Sequence, residues 1–354
     1  MNRQPELPAD RVLTSLLLRG GLALLILLAW LTATANGQRQ AENSVASPPI
    51  HVAHVLGFED VRRNVGGQLS IHGEDLRFQR DGSPAAQVSI SSIQNISLGE
   101  QDEQVGGVAM MLGKAAVPFG GGRMVSLLSH KKYDSLAIEY LDGKGGFHGV
   151  IFCLAKGQGA TFKNALIARG AHIAPSEDPA PVQSMPEGSL QAQKWSVQVD
   201  RVDPGTTTLD PCFSDAIYEN LLRELTKSKQ FKDVFRSGDR NANNVSGMLL
   251  LKILVEQYSP GSETRRAVTT VSGATKLRVH IQLVTRSGRV VLECPVEGNV
   301  RFIGDNLRAS DKVANNTAKL LKRSTLPAPA TLIPQQTTPT RQQPLSKAQN
   351  TTSL

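Results

Sequence analysis

Residues 131–170 read KKYDSLAIEYLDGKGGFHGVIFCLAKGQGATFKNALIARG, and this stretch decides the fold of the first half of the chain. Leu136, Ile138 and Tyr140 alternate with polar neighbours, which is the period-2 pattern of a half-buried strand. The run 142–146 (DGKGG) tolerates positive φ and predicts a chain reversal. Residues 150–154, which include Cys153 in an apolar run, predict the return strand.

A helix is predicted directly after this hairpin. Phe162, Ala165 and Leu166 fall on one helical face after Gly157, and Gly170 suits the position that ends a helix. A hairpin followed by one amphipathic helix is suited to closing a small open barrel.

Upstream of the hairpin, apolar residues recur in pairs at strand spacing, with turns between the pairs. The pairs are Leu69/Ile71, Leu76/Phe78, Val88/Ile90 and Ile93/Ile96. Several short strands at this interval predict a small antiparallel barrel or sandwich.

The segments GGQLSIHGEDLRFQRDG and VSISSIQNISLG, followed by the hairpin and helix, resemble the pleckstrin-homology-like barrel over about residues 56–172. The resemblance implies two bent sheets closed at one corner by a C-terminal helix. Members that bind phosphoinositides are basic around the first hairpin, whereas the turn 72–75 (HGED) is acidic here. Binding of a lipid headgroup is therefore not implied.

Glycine-flanked apolar segments interrupt the strand pattern at residues 105–128. One or two further strands joined at Gly120–Gly122 are the favoured interpretation, and a mobile loop that docks on a membrane or a partner is the alternative. Lys114 does not belong to a phosphate-binding loop, because Val108 and Ala115 stand where that motif needs glycine and serine or threonine.

The second half predicts an α/β arrangement. A strand begins near Trp195, and Asp210-Pro211 predicts the start of a helix that runs to about Lys227. A short strand at Val234-Phe235 follows. The apolar run 245–258 predicts a central strand with both faces apolar. A hairpin (276–283 and 290–292) and a closing helix (about 309–322) complete the predicted pattern.

The segments FKDVF and SGMLLLKILVEQYSPGSETRRAVTTVSGATKLRVHIQLVTRSGRVVLECPVEG, placed after the first helix, resemble a domain of bacterial envelope proteins of unknown function. That domain is related in fold to the curli secretion lipoprotein and to the N-terminal domain of the periplasmic Tol-system propeller protein. The resemblance covers about residues 195–323. Arg286 stands where the family hairpin often has an acid, and the lipid-anchoring cysteine is missing, so neither outer-membrane tethering nor channel formation is implied.

The N-terminus predicts export. Arg11 and Arg19 precede an uncharged apolar run at 20–35, and Ala33-Thr34-Ala35 fits the small-x-small pattern of signal peptidase sites. The apolar core is shorter than the ~20 residues that a membrane-spanning helix needs. A cleaved secretory signal is therefore favoured, and an inner-membrane anchor formed by residues 20–35 is the alternative.

The predicted fold class is a two-domain protein: a mainly-β pleckstrin-homology-like barrel with a C-terminal helix, followed by an α/β (α+β) domain. Composition and pattern divide the chain into six segments: 1–37, a signal peptide or anchor; 38–55, a linker; 56–172, the barrel; 173–192, a proline-rich linker; 193–324, the α/β envelope domain; and 325–354, a disordered tail. The proline-rich linker predicts that the two domains fold independently.

Cysteine and charge exclude several classes of function. Cys153, Cys212 and Cys294 form neither a disulfide framework nor a metal motif, although one bridge between Cys212 and Cys294 is compatible with the predicted domain. The net charge of +8 is too diffuse for nucleic-acid binding. The basic residues on the last helix predict a solvated face, with weak contact to an anionic membrane surface or polymer as the alternative; they are Arg308, Lys312, Lys319 and Arg323.

No catalytic, cofactor-binding or metal-binding residue is predicted. His51 and His54 have H-x-x-H spacing, but they are expected to be solvent-exposed histidines. The sequence predicts an exported, non-enzymatic binding or assembly module of the bacterial cell envelope, with protein partners there. The alternatives are an exported hydrolase whose site forms only in three dimensions, and a membrane-anchored periplasmic adaptor. A deep pocket lined by titratable groups would favour the hydrolase.

The mature chain is expected to begin between Asn36 and Gln38, because small residues end an apolar core that is too short to span a membrane comfortably. Mass spectrometry of the native protein tests this expectation. An intact Met1 would contradict cleavage and leave the anchor.

Overall fold

The computed structural model describes residues 47–80, 83–104, 130–172, 194–262, 273–300 and 306–329. The predicted signal, residues 38–46 of the predicted linker, the 105–128 segment, the 173–192 linker and the tail beyond residue 329 lie outside the described residues. The linker prediction is wrong for residues 47–55, because they belong to a strand, Ser47–Leu56, that pairs with a strand on each side. In the part that is described, no helix is both long enough and apolar enough to cross a membrane.

The described part of the chain is mainly β, with two sheets and three α-helices. The first sheet has seven strands in the order β4-β3-β2-β1-β7-β6-β5, and each neighbouring pair is antiparallel. Its strands are β1 (Ser47–Leu56), β2 (Val65–His72), β3 (Asp75–Arg80), β4 (Ser83–Ser89), β5 (Ile93–Gln104), β6 (His130–Leu141) and β7 (Phe147–Ala155). Helix α1 (Gln158–Ile167) follows the last strand.

The predicted hairpin and helix at 131–170 are confirmed. Strands β6 and β7 meet at the glycine turn, where Gly145 has a φ of 85°. Phe162 and Leu166 of α1 are buried in the apolar cluster of the first sheet. The helix therefore covers the apolar face of the sheet with two large side chains one turn apart.

The expectation for the two H-x-x-H histidines holds for His51 and is wrong for His54. His51 is exposed, whereas His54 has no exposed surface and lies against Phe58, Phe78 and Phe152. Its Nδ1–H donates to the Arg62 carbonyl oxygen at 3.1 Å, and its Nε2 accepts the Phe58 N–H at 3.3 Å. Burial lowers the pKa of His54 to about 4, so the ring is a neutral part of the core.

The second sheet has five strands in the order β12-β11-β10-β8-β9. They are β8 (Ser196–Asp203), β9 (Val234–Phe235), β10 (Met248–Ser259), β11 (Thr275–Thr285) and β12 (Val290–Val300). Helices α2 (Pro211–Ser228) and α3 (Arg308–Arg323) accompany it, and they pack on each other and on strands of this sheet. The predicted helix start is confirmed, because the Asp210 side chain accepts the Cys212 N–H at 2.8 Å with Pro211 in the first turn.

Strand β10 is central, as predicted, but its two faces differ. Met248, Leu249 and Leu251 are buried at its start, whereas Lys252 and Leu254 are exposed further along. The outer face is therefore open to solvent over most of the strand, which replaces the expectation that both faces are covered. Cys212 and Cys294 are free thiols, so the disulfide compatible with the sequence is not formed.

Helix α2 lies between the two sheets. It packs against β5, β6 and β7 of the first sheet and against β8 and β9 of the second. One apolar cluster consequently contains Ala137 and Ile151 from the first sheet together with Tyr218 and Leu221 from α2. Strand β6, predicted to be half-buried, is therefore covered on both faces from Ser135 to Glu139. This shared core argues against the expected independent folding of the two halves.

Phe162→Ala in the whole chain is expected to cost about 2–5 kcal/mol of unfolding free energy, because the truncation leaves a cavity under α1. Thermal unfolding followed by circular dichroism measures the loss. Ala165→Ser on the same helix is the mild control. Unchanged melting of Phe162→Ala would mean that α1 does not hold the first sheet's core.

Candidate functional site

A cavity of about 470 Å³ opens where the two halves of the molecule meet. Its walls come from β5, β6 and β7 of the first half and from β8 and α2 of the second, so neither half forms it alone. The lining residues are Asn95, Glu139, Phe147, Arg201, Val202, Asp203, Pro204, Leu209, Pro211, Ser214, Asp215 and Tyr218. A volume of this size is ordinary for a small-molecule site.

The cavity changes from exposed at its mouth to buried at its floor. Asp203, Pro204 and Pro211 at the mouth are exposed. Asp215 and Tyr218, on successive turns of α2, are buried at the floor with 3 % and 1 % exposure. A ligand would therefore meet solvated groups first and desolvated ones last.

The wall contributed by β6 carries an ion pair between a buried glutamate and a half-buried arginine. Arg201 Nη2 lies 2.7 Å from Glu139 Oε2, and Asn95 Nδ2 donates to Glu139 Oε1 at 3.2 Å. The same guanidinium lies over the Phe147 ring, 4.3 Å from its centroid. Stacking and pairing together fix the Arg201 side chain against this wall.

Asp215 is the unusual group of the floor. Its Oδ2 atom is buried and has no hydrogen-bond partner. The position depends on Gly149 of β7, because a Cβ there would stand 2.6 Å from Asp215 Cγ. Burial raises the pKa of the Asp215 carboxyl well above its usual value, and the negative charges of Glu139 and Glu219 raise it further against the opposing effect of Arg201. The Asp215 carboxyl therefore holds its proton more readily than an exposed aspartate does.

Behind the floor, Glu219 forms a satisfied buried ion pair. Arg236 donates to both of its carboxylate oxygens, at 2.8 and 3.1 Å, and the Gly149 N–H donates to Oε1 at 3.0 Å. Arg236 also donates to the Phe147 carbonyl oxygen and pairs with Glu59 at 2.9 Å. Burial lowers the pKa of Arg236, but the Glu219 carboxylate outweighs burial and holds that pKa above its usual value.

Tyr218 joins this pair to the cavity. The Ser237 N–H donates to its hydroxyl oxygen at 2.8 Å, and the hydroxyl faces the Phe147 carbonyl oxygen at 3.5 Å. Burial, followed by the Glu219 charge, raises the pKa of Tyr218, so the phenol keeps its proton. Tyr218 is consequently a fixed, uncharged part of the cavity wall. Its raised pKa makes loss of the phenol proton unfavourable.

The histidines and basic residues considered in the sequence analysis lie apart from one another and outside the cavity lining. His51 and His54 lie on β1 outside the cavity lining, and the basic residues of α3 are exposed, as expected for a solvated face. His280 contacts Glu256 and Glu293 at 3.1 and 2.7 Å on the outer face of the second sheet. Over the described ranges, no group of three or more His, Cys, Asp or Glu side chains could hold a metal ion.

Sequence reasoning missed Glu139, Arg201 and Asp215. A signal for Asp215 was present, because Asp215 and Glu219 stand one turn apart within the helix PCFSDAIYENLLREL and Ala216, Ile217 and Leu221 surround them. Two acids on one stripe of a mostly apolar helix indicate a buried polar cluster. Glu139 carried no comparable signal, because it occupies a polar position of an alternating strand.

Comparison with known proteins gives little further information. No family model and no curated protein matches the chain. A variant of the PelC dodecamer from Paraburkholderia phytofirmans is 17 % identical over 38 % of this chain and 93 % of its own, with a TM-score of 0.29. A second PelC dodecamer structure from that organism is 14 % identical over 40 % of this chain and 96 % of its own, also with a TM-score of 0.29. Similarity at this level supports no inference about function.

Asp215→Asn is expected to raise stability at pH 7. A folded-state pKa above the ordinary value of 3.8 means that stability is present at low pH and is lost as pH rises toward the folded pKa. The amide removes this loss, so the melting temperature should rise by a few degrees, since about 1 kcal/mol corresponds to ~2–4 °C at this size. The gain should shrink toward pH 4.

Thermal melts from pH 4 to pH 8 measure the effect, with Asp203→Asn as the control because that carboxyl is exposed at the mouth of the same cavity. A lower melting temperature for Asp215→Asn at pH 7 would show that the carboxylate is ionised and paired in the fold.

Proposed function

We propose that the protein is an exported, non-enzymatic binding module of the bacterial cell envelope and that the cavity between its two halves is the recognition site. One observation carries this proposal. The floor of the cavity holds a buried carboxyl whose Oδ2 has no partner, at Asp215. An unpaired polar atom in a buried position costs about 1–3 kcal/mol, and a bound ligand would offset that cost.

The partners of the other polar groups favour binding over catalysis. Glu139 is held by Arg201 and Asn95, and the Tyr218 hydroxyl is held by the Ser237 N–H. General acid–base catalysis needs a second group that can exchange a proton near neutral pH. A pre-formed cavity wall with one unsatisfied polar group is better suited to binding a ligand than to acid–base catalysis.

The finer assignment of fold and location belongs to the same proposal. The antiparallel sheet followed directly by α1 supports a pleckstrin-homology-like first half. The α/β order of the second half supports the curli-lipoprotein-like type. Export is supported by the basic and apolar N-terminus. Protein partners in the envelope would then contact surfaces outside the cavity.

An exported hydrolase is the second candidate, because two carboxyls lie in the same cavity. Glu139 and Asp215 share one cavity; Glu139 pairs with Arg201, whereas burial raises the pKa of Asp215. Two carboxyls in different environments within one site are an arrangement that many acid-catalysed hydrolyses use. The experiment must therefore separate retention of a ligand from its consumption.

The test uses protein purified from its native envelope, in wild-type form and as Ser214→Phe, which places a large ring in the cavity wall. Each protein is denatured and the compounds that it releases are identified by mass spectrometry. Lys322→Phe adds the same ring on an exposed position of α3 and is the matched control.

We expect wild type and Lys322→Phe to release the same compound, and Ser214→Phe to release none. Incubation of each protein with envelope extract completes the test. Repeated conversion of a compound by wild type and not by Ser214→Phe would establish the hydrolase instead. Neither retention nor conversion would overturn the proposal that this cavity is the functional site.

A further inference from the structure

The cavity lining has more acidic than basic groups. Glu139, Asp203 and Asp215 contribute three carboxyls, and Arg201 contributes the cation of the lining. Arg201 lies 2.7 Å from Glu139, and Asp203 Oδ1 accepts only the Gly205 backbone N–H among the bonds of the described residues. Two carboxyls thus face the cavity without a cationic side chain in bonding contact.

Asp215 is surrounded by further negative charge. The groups that face it include Glu139 of β6, Glu219 one turn along α2, Asp210 at the start of that helix and Arg201 of β8. Strand β7 approaches through Gly149, whose backbone brings no charge. Arg236, which follows β9, is engaged by Glu219. The surroundings of Asp215 therefore repel an anion and attract a cation.

Resting on the function proposed above, we propose that this cavity binds an alkyl ammonium or guanidinium group, and that Asp215 gives up its proton as the cation enters. The carboxylic acid O–H breaks, the proton leaves to solvent through the mouth, and the resulting carboxylate pairs with the ligand nitrogen. A neutral ligand would instead leave the acid protonated.

The apolar side chains of the cavity wall favour a ligand whose charged group is attached to an apolar chain. Phe147 and Tyr218 are buried at the inner end, and Val202 and Leu209 are partly buried nearer the mouth. A chain of methylene groups can lie along such a wall and place its charged end at the floor, as the stems of lysine and arginine do. A free alkylamine and a basic side chain of a polypeptide both have this chemistry.

Calorimetric titration with three probes tests the inference. The probes are 1,5-diaminopentane for a free alkylamine, Nα-acetyl-lysine methylamide for a polypeptide side chain and 1,5-pentanediol as the neutral isostere. Each titration is done in two buffers of different ionisation enthalpy, which gives the number of protons released per ligand bound.

We expect at least one of the amines to bind with release of a proton and the diol not to bind. One proton released per ligand makes Kd fall about tenfold for each unit rise in pH while Asp215 is protonated in the empty protein. Asp215→Asn should bind the amine at least about tenfold more weakly and release no proton. Glu74→Gln, at an exposed turn far along the first sheet, should behave as wild type.

Equal binding of the diol, amine binding without proton release, or no amine binding would each overturn the inference. Binding of the diamine alone would identify a free alkylamine, and binding of the capped lysine would identify a polypeptide source. Failure here is distinguishable from failure of the proposed function. If the compound released from native protein is neutral or anionic, the cavity is a binding site and only the cation inference is wrong.

Discussion

The buried carboxylate of Glu219 is the constraint on which the arrangement of the two halves depends. A charge on a helix packed between two sheets is costly unless it is paired and hydrogen-bonded. Its partners come from both sides, because Arg236 belongs to the second half and the Gly149 N–H, 70 residues away, belongs to the first. Removing the first half would take away the Gly149 N–H, so the set of partners around Glu219 is complete only when the two halves are packed together.

The cavity forms at this interface between the two halves. On one side of the interface, α2 packs directly against β7 at Gly149, where there is no room for a side chain. A few residues away, Arg201 of the second half pairs with Glu139 and lies over the Phe147 ring of the first half, so a side chain rather than close backbone packing joins the halves there. A well-packed interior has few voids larger than a water molecule. The space of about 470 Å³ is lined by the Arg201–Glu139 pair and is open at Asp203, Pro204 and Pro211, so it is a cleft between the halves rather than a void in a packed core.

Local signals in the sequence predicted the helices, strands and turns well. The interface between the two halves was not predictable from such signals. The turn at 142–146 and the Asp210 cap depend on residues within a few positions, and both are present. The burial of His54 and Glu139 depends on packing partners that are distant in sequence, such as Phe152 and Arg201. Periodicity showed which side of β6 was apolar, but it could not show that α2 covers the other side.

Asp215 and Glu219 are two buried acids of the same helix with different hydrogen-bond partners. They stand one turn apart on the same helix and are both buried, yet Glu219 has an arginine and a backbone N–H while the Oδ2 of Asp215 has no partner. Glu219 is explained by the contacts it makes. The buried Oδ2 of Asp215 makes no hydrogen bond that would offset the cost of taking it out of water. The two acids therefore differ in their contacts and not in their burial, and the acid with the unpaired oxygen is the one that lines the cavity.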